Sequence, residues 1–263
     1  MCIHIVLSIY KKVMSVQITS KEKQASGVFA DGAILENKPI GFPQDGGEQK
    51  PFSNLFYWAN AWSDNGGLIG EHPHEMFEIM SFVIEGEIQH YDSKFDRWLS
   101  LEKGDAQIIR SASGISHAER LMPGGRMFQV WFDPNIKQSM LKEATYDDCK
   151  SADMNYSEEN NISIKNYVGN GGPIQMDSEG IEIKEVTLQK GNHSLTLDEN
   201  KIYSLYLLNG EASIDSGNLL EHDFIKIEDQ KELNLVVKSE TRFFEIVAPK
   251  QLTYKTYREL VNY

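Results

Sequence analysis

Only two cysteines, Cys2 and Cys149, occur in 263 residues, so no disulfide framework can hold this chain, and a reducing compartment such as the cytoplasm suits it. Basic residues are in the minority, with 26 Lys and Arg against 39 Asp and Glu and a formal charge of −13. No basic stripe is present to meet a polyanion, which argues against direct nucleic-acid binding. Long apolar runs are missing too. Nothing approaches the ~18 residues of a membrane helix, so no membrane partner is expected. The stretch Met1 to Tyr10 is apolar, but its basic residues follow the apolar run and no small-residue cleavage signal comes after it, unlike a secretion signal. Residues 3–10 read either as an ordinary first strand or, with Met14 opening a more conventional stretch, as part of an added start. There is no Gly-x-Gly-x-x-Gly opening a helix, no P-loop, no Gly-x-Ser-x-Gly and no cysteine pair at zinc-site spacing. Nicotinamide, nucleotide and serine-hydrolase readings therefore fall away. The chain has 40% hydrophobic, 10% aromatic and 25% charged residues with mean hydropathy −0.42. That composition belongs to a globular chain with enough apolar surface for a sizeable core.

Short β-rich runs broken by Gly, Asn and Asp fill residues 55–132: Leu55–Trp62, Ile79–Ile84, Ile88–Tyr91, Trp98–Leu101, Ala106–Ile109 and Met127–Phe132. Such spacing predicts an antiparallel sandwich or barrel. Residues 135–149 lose the alternation and are read as holding a helical turn, and the polar stretch Ser151 to Asn161 has little to bury. A second β-rich region comes next, with strands expected at Ile181–Leu188, Tyr203–Leu208, Phe224–Ile227, Leu233–Val237 and Phe243–Val247, and a short helix in the tail from Tyr254 to Tyr263. The two regions are related. Residues 82–93 match 206–216 with one residue fewer after the shared Gly-Glu, and Leu101 to Asp105 corresponds to Leu220 to Asp223. Two copies of one β module, the second degenerate, is the economical reading.

Chemistry concentrates in the first copy. His72 and His74 stand at i and i+2 with a rigid Pro73 between them, so on a strand two imidazoles share one side. Some forty residues later His117 and Glu119 repeat the i, i+2 spacing with two more ligand types. Two such pairs on separate strands make a set of three imidazoles and one carboxylate. Four ligands on a six-coordinate ion leave two positions for water or substrate oxygen.

These residues resemble the pirin family of the cupin superfamily. The resemblance rests on His72-Pro73-His74 followed by Phe77-Glu78, on Glu85-Gly86 then His90-x-Asp92-Ser93, on Gly104-Asp105-x-Gln107, and on Gly114-Ile115-x-His117-x-Glu119. The segment Gln129-x-Trp131 followed by Pro134 is similar as well. It is dense over 55–137 and faint over 162–248. It implies an all-β chain of two cupin-type β-barrel (double-stranded β-helix) domains with a few short helices. The expected boundaries are a metal-binding domain at 15–136, a connector at 137–161, a degenerate cupin domain at 162–250 and a tail at 251–263. It implies one divalent metal ion, commonly iron, on His72, His74, His117 and Glu119, with manganese, nickel, zinc or copper as other occupants. It implies a quercetin 2,3-dioxygenase type of reaction on a small oxygenated aromatic substrate, with dioxygen adding to C2 and C4 and carbon monoxide lost. The other expectation is a non-catalytic, metal-dependent regulatory module that binds a protein partner, since pirins are also described in that role.

Glu119 and Glu78 are the expected catalytic carboxylates. Glu78 shares parity with His72 and His74 and is read as facing the same cavity, with a structural ion pair as the alternative reading. His90 is read as a satisfied wall histidine, Gln107 as lining the mouth, and Arg110 as a solvated strand end. Where the family usually has Arg-Gly after His-Pro-His, this chain has Glu75-Met76, and Ile108-Ile109 follow Gln107. The repeat alignment sets Thr196, Asp198 and Ile202 opposite His72, His74 and Glu78, with Leu235 and Val237 near the positions of His117 and Glu119. No metal is therefore expected in the second copy.

Overall fold

A computed structural model of the chain describes residues 16–94 and 96–261. The readings placed on residues 1–15, including Cys2, and on the last two residues of the tail lie outside the described residues. The first half runs through β1 (Val16–Thr19), β2 (Ala25–Phe29), β3 (Ile34–Ile40), β4 (Leu55–Ser63), β5 (Gly67–His74), β6 (Glu78–Glu85), β7 (Glu87–Asp92), β8 (Arg97–Glu102), β9 (Ala106–Arg110), β10 (Ile115–Leu121) and β11 (Gly125–Phe132). A one-turn helix α1 (Ile136–Ser139) and β12 (Thr145–Cys149) come next. The second half comprises β13 (Asn155–Glu159), β14 (Ile162–Val168), β15 (Glu182–Leu188), β16 (Gly191–Thr196), β17 (Lys201–Asn209), β18 (Ala212–Ile214), β19 (Gly217–Leu219), β20 (Phe224–Ile227), β21 (Glu232–Val237) and β22 (Thr241–Pro249), closed by α2 (Tyr257–Leu260).

Each half is a seven-stranded sheet facing a four-stranded one, in the orders β12-β9-β6-β11-β4-β3-β2 with β5-β10-β7-β8, and β1-β20-β17-β22-β15-β14-β13 with β16-β21-β18-β19. The all-β, two-module cupin architecture holds, but as sandwiches of two sheets each rather than closed barrels. The repeat is visible at its turns. Gly86 (φ 65°) and Gly210 (φ 106°) end β6 and β17 in the left-handed region. A Cβ at Gly86 would meet the Gly124 carbonyl oxygen at 2.9 Å, and one at Gly210 the Glu240 carbonyl oxygen at 2.6 Å, so only glycine fits either turn.

The burial pattern explains the layering. Strands β6 and β22 are buried along nearly their whole length, whereas β21 alternates between exposed and buried. A strand apolar on both faces needs a partner on each. The seven-stranded sheets therefore pack back to back, with Trp58, Phe82 and Phe128 from the first half against Tyr206, Phe224 and Phe244 from the second in one shared core. The four-stranded sheets form the outer layers, each closing its own smaller core.

Sheet membership crosses the boundaries expected from sequence. β1 pairs with β20, so residues 16–19 belong to the second module's sheet. β12 pairs with β9, so residues 145–149 of the expected connector extend the first module's sheet, while β13 pairs with β14 in the second. The expected helical turn is present as α1, but the rest of the expected connector carries two strands, β12 and β13. Unpaired backbone at a sheet edge costs free energy, and these short polar segments satisfy it where local sequence would have left them as linker. Among the described residues, no helix is long and apolar enough to cross a membrane.

Candidate metal centre

His72 and His74 lie at the end of β5, and His117 lies opposite on β10, where its Cα pairs with that of His72. A register shift between His117 and Glu119 sets two residues of β5, Gly70 and Glu71, opposite the single Ala118 of β10, and such a bulge re-aims side chains toward a site. The three rings meet with centroids 4.5–4.8 Å apart, and one nitrogen from each lies within 4.8 Å of the others. Among the described residues this is the one group of three or more His, Cys, Asp or Glu able to share an ion.

The hydrogen bonds give the arrangement a direction. His72 Nδ1 lies 2.8 Å from the Gly70 carbonyl, which can only accept, so Nδ1 carries the proton and Nε2 presents a lone pair. That lone pair faces His117 Nε2 at 3.1 Å. His74 Nε2 is buried with no partner at all. Burial first, and the neighbouring rings second, push His74 down to about 3 and His117 well below the usual histidine value, so both stay neutral at physiological pH. Neutral imidazoles turning ring nitrogens toward one point are a donor set for a divalent cation. The residues present fit such an ion.

Glu119 lies on the same inner face and is 1% exposed, but it stands outside the three-histidine group. Its Oε1 accepts from Ser81 Oγ at 3.0 Å, and its Oε2 from Gln129 Nε2 at 2.5 Å. Trp131 Nε1 donates in turn to Gln129 Oε1 at 3.3 Å. The i, i+2 spacing of Gln129 and Trp131 puts both on one face of β11, so the Gln-x-Trp segment is a chain that aims the carboxylate. Ser81 went unnoticed in the sequence; its signal is one hydroxyl inside the apolar run Ile79–Ile84.

Glu78 departs from the expectation. The chain turns between β5 and β6 at Met76 (φ 73°), a non-glycine residue in the left-handed region. Counting parity across that turn is invalid. On β6, Ile79 and Ser81 face inward, and Glu78 faces the second module. Its carboxylate accepts from the backbone N–H of Asp177 and of Ser178 at 2.7 Å each and from Ser178 Oγ at 2.5 Å, with Arg110 Nε 3.8 Å away. Arg110, expected as a solvated strand end, bonds Asp147 Oδ2 at 2.6 Å and the Gln175 carbonyl. Both residues are ties between the modules.

His90 is fully buried on β7, its Nε2 3.3 Å from His117 Nδ1 and its ring stacked on Tyr146 of β12 with centroids 4.8 Å apart. Gln107 is also fully buried rather than at the mouth, and neither its amide nitrogen nor its oxygen has a protein partner. The mouth is a cavity of about 610 Å³ bordered by Pro73, His74, Glu75, Ser93, Ile115 and Ser116. Trp131 stands edge-on to His74 beside it, with centroids 4.8 Å apart, and Phe77 and Tyr57 back the indole. The equivalent interior of the second module is apolar. Leu233, Leu235 and Val237 of β21 are buried there, and His193 bonds its own turn at Gln189.

Comparison with known proteins agrees with this picture. Residues 42–132 match the Pirin family model. Pirin-like protein 2 of Arabidopsis thaliana is 31% identical over 108 residues, 40% of this chain but only 32% of that protein, so the match spans about a third of the plant protein's length. The crystal structure of the pirin YhhW from Escherichia coli in complex with nickel(II) superposes with a TM-score of 0.72 at 18% identity, covering 90% of this chain and 100% of that one. A structure of quercetin 2,3-dioxygenase from Acinetobacter baumannii gives 0.75 at 17% identity, covering 94% and 86%. At such identity the two structures speak for the fold. The Pirin family match thus falls on the histidine-bearing module, residues 42–132, and the fold of those two structures extends over nearly the whole chain.

Proposed function

We propose that this chain is a cytoplasmic metal-dependent dioxygenase of the quercetin 2,3-dioxygenase kind. It acts on a small oxygenated aromatic substrate with one divalent ion, iron, on His72, His74 and His117 and with Glu119 as fourth ligand. The observation that carries the reading is the three-imidazole cluster with its ring nitrogens turned inward, opening on a cavity of about 610 Å³ beside an indole. Bound there, a divalent ion supplies Lewis acidity toward a substrate oxygen.

The remaining tasks fall to the chain itself. Pro73 and Ile115 give the cavity rim an apolar surface for a planar ring, and Ser93 and Ser116 add hydroxyls for substituents. Glu75 makes that rim acidic, which favours a substrate that enters neutral and gives up its proton inside. Glu119 is the acceptor for that proton, held in one orientation by Ser81 and Gln129. The unpartnered amide of Gln107 on the inner face is available to a substrate oxygen. Glu78 takes no part.

Aerobic incubation of the iron-loaded protein with quercetin tests the proposal. Carbon monoxide release and loss of the flavonol absorbance are expected, with Glu119→Gln slower by about 10² or more. Absence of both with iron, manganese and nickel would overturn it, and a protein that still holds its ion would then be read as the non-catalytic, metal-dependent binding module.

A further inference from the structure

The lone buried histidine on β7 has a role that rests on the proposed metal centre. His117 cannot coordinate through Nε2 and keep its present options at Nδ1. A neutral ring that gives one nitrogen to a cation carries its proton on the other, and that proton needs an acceptor. Among the described residues, the partner at Nδ1 is His90 Nε2, 3.3 Å away. We propose that His90 is the positioning residue of the metal centre. It accepts the His117 Nδ1–H, holds Nε2 on the ion, and exchanges its own tautomer when the ion binds.

Three observations carry this. First, the chain of contacts has two self-consistent proton arrangements. Without an ion, His90 Nε2–H donates to His117 Nδ1, and His117 Nε2–H donates to the His72 Nε2 lone pair at 3.1 Å, while His72 Nδ1–H stays on Gly70. With the Nε2 atoms of His72 and His117 given to a cation, the His117 proton sits on Nδ1 and points at His90 Nε2, so the His90 proton sits on Nδ1. The proton count is the same in both, and neither ring changes charge. Second, His90 Nδ1 is buried and makes no hydrogen bond to the protein, so nothing locks it in one tautomer. Third, the ring plane is fixed from outside. Tyr146 stacks on it at 19° between planes, and the strand that brings Tyr146 is β12, recruited to the facing seven-stranded sheet from beyond α1. His90 is thus free in its proton and constrained in its orientation, as a positioning residue must be.

The test uses the full chain with zinc, which is diamagnetic. Competition with a chromophoric chelator gives the affinity of wild type, His90→Gln, His90→Phe and His117→Ala. Glutamine places an oxygen acceptor near the position of Nε2, so His90→Gln is expected within about threefold of wild type, whereas His90→Phe loses about 10- to 100-fold. In parallel, long-range ¹H–¹⁵N spectra of wild type are expected to show His90 protonated on Nε2 without zinc and on Nδ1 with it. Equal zinc affinity for His90→Phe and wild type, or one unchanged His90 tautomer in both states, would overturn the proposal. Failure of wild type to take up zinc, or full zinc binding by His117→Ala, would instead bring down the metal reading itself. Should His90→Phe not fold, the spectra of wild type and the affinity of His90→Gln decide.

Discussion

His72, Pro73 and His74 are three residues whose effect comes from geometry more than from identity. Alternation on β5 puts both imidazoles inside, and the prolyl ring between them limits the backbone to the extended region the strand needs. His117 is fully buried between them and His90. His117→Ala is therefore expected to lose the bound ion, measured as metal per chain, while its far-UV circular dichroism matches wild type, because the surrounding cores draw on other residues. Unchanged stoichiometry would refute the ligand assignment. The His72–His74 and His117–Glu119 pairs were legible in the sequence, since an i, i+2 pattern on a strand needs no tertiary information. The role of His90 was not, because it depends on which strand lies beside β10, and the pairing of His117 with Asp92 across β10 and β7 joins residues 25 apart.

At the scale of elements, β6 is the instructive case. Its residues are buried on both faces, one facing the metal centre through Ser81 and the other facing the second module through Glu78. Glu78→Ala would leave the Asp177 and Ser178 amides and the Ser178 hydroxyl without their shared acceptor. Removing one partner of a buried charged network costs about 3 kcal/mol. That loss should appear in chemical denaturation, with metal content unchanged, which separates a tie between modules from a catalytic acid. Half of the described strands were readable, with Phe224–Ile227 placed to the residue and the others within two. β12 was not, because its sequence Thr145 to Cys149 is polar and acquires strand structure only by pairing with β9.

The tail is a second such element. Asp133, 1% exposed after β11, accepts from the backbone N–H of Tyr257 at the start of α2, and its carbonyl accepts from Tyr254 Oη at 2.7 Å. Burial, with the nearby Glu259 adding to it, raises its carboxyl to about 7. A carboxyl raised in the folded state is neutral there at low pH. Its contribution to stability is therefore complete below about pH 4 and is lost as the pH rises through 7. Asp133→Asn keeps an acceptor for Tyr257 and cannot ionise. Its stability relative to wild type should climb by roughly 2–4 kcal/mol between pH 4 and pH 8 in denaturant titrations. A flat difference would mean that the carboxyl titrates normally.

Across the whole molecule, the two modules are joined by more than a linker. They share one core, and β1 lies in the second module's sheet although it precedes the first module's own strands. Phe244 stands at the centre of that core, with ring centroids 4.8 Å from Phe82, 5.0 Å from Phe128 and 5.6 Å from Trp58. Phe244→Ala is expected to cost about 3–5 kcal/mol and to destabilise both modules together. Calorimetry should then show the wild-type protein unfolding in one transition. Two well-separated wild-type transitions would show that the modules hold themselves up independently.

Local chemistry by itself determined the β character, the internal repeat with its two glycine turns, the histidine ligand types and the apolar Leu235 and Val237 at matching positions of the second module, because periodicity, φ requirements and donor identity are properties of short segments. The tertiary structure alone decided which way Glu78 points, what holds Glu119, what His90 touches and which sheet receives β1 and β12. Each of those depends on a turn that resets parity or on a partner far away in the chain, and pairing energy across a sheet is not written in either strand alone.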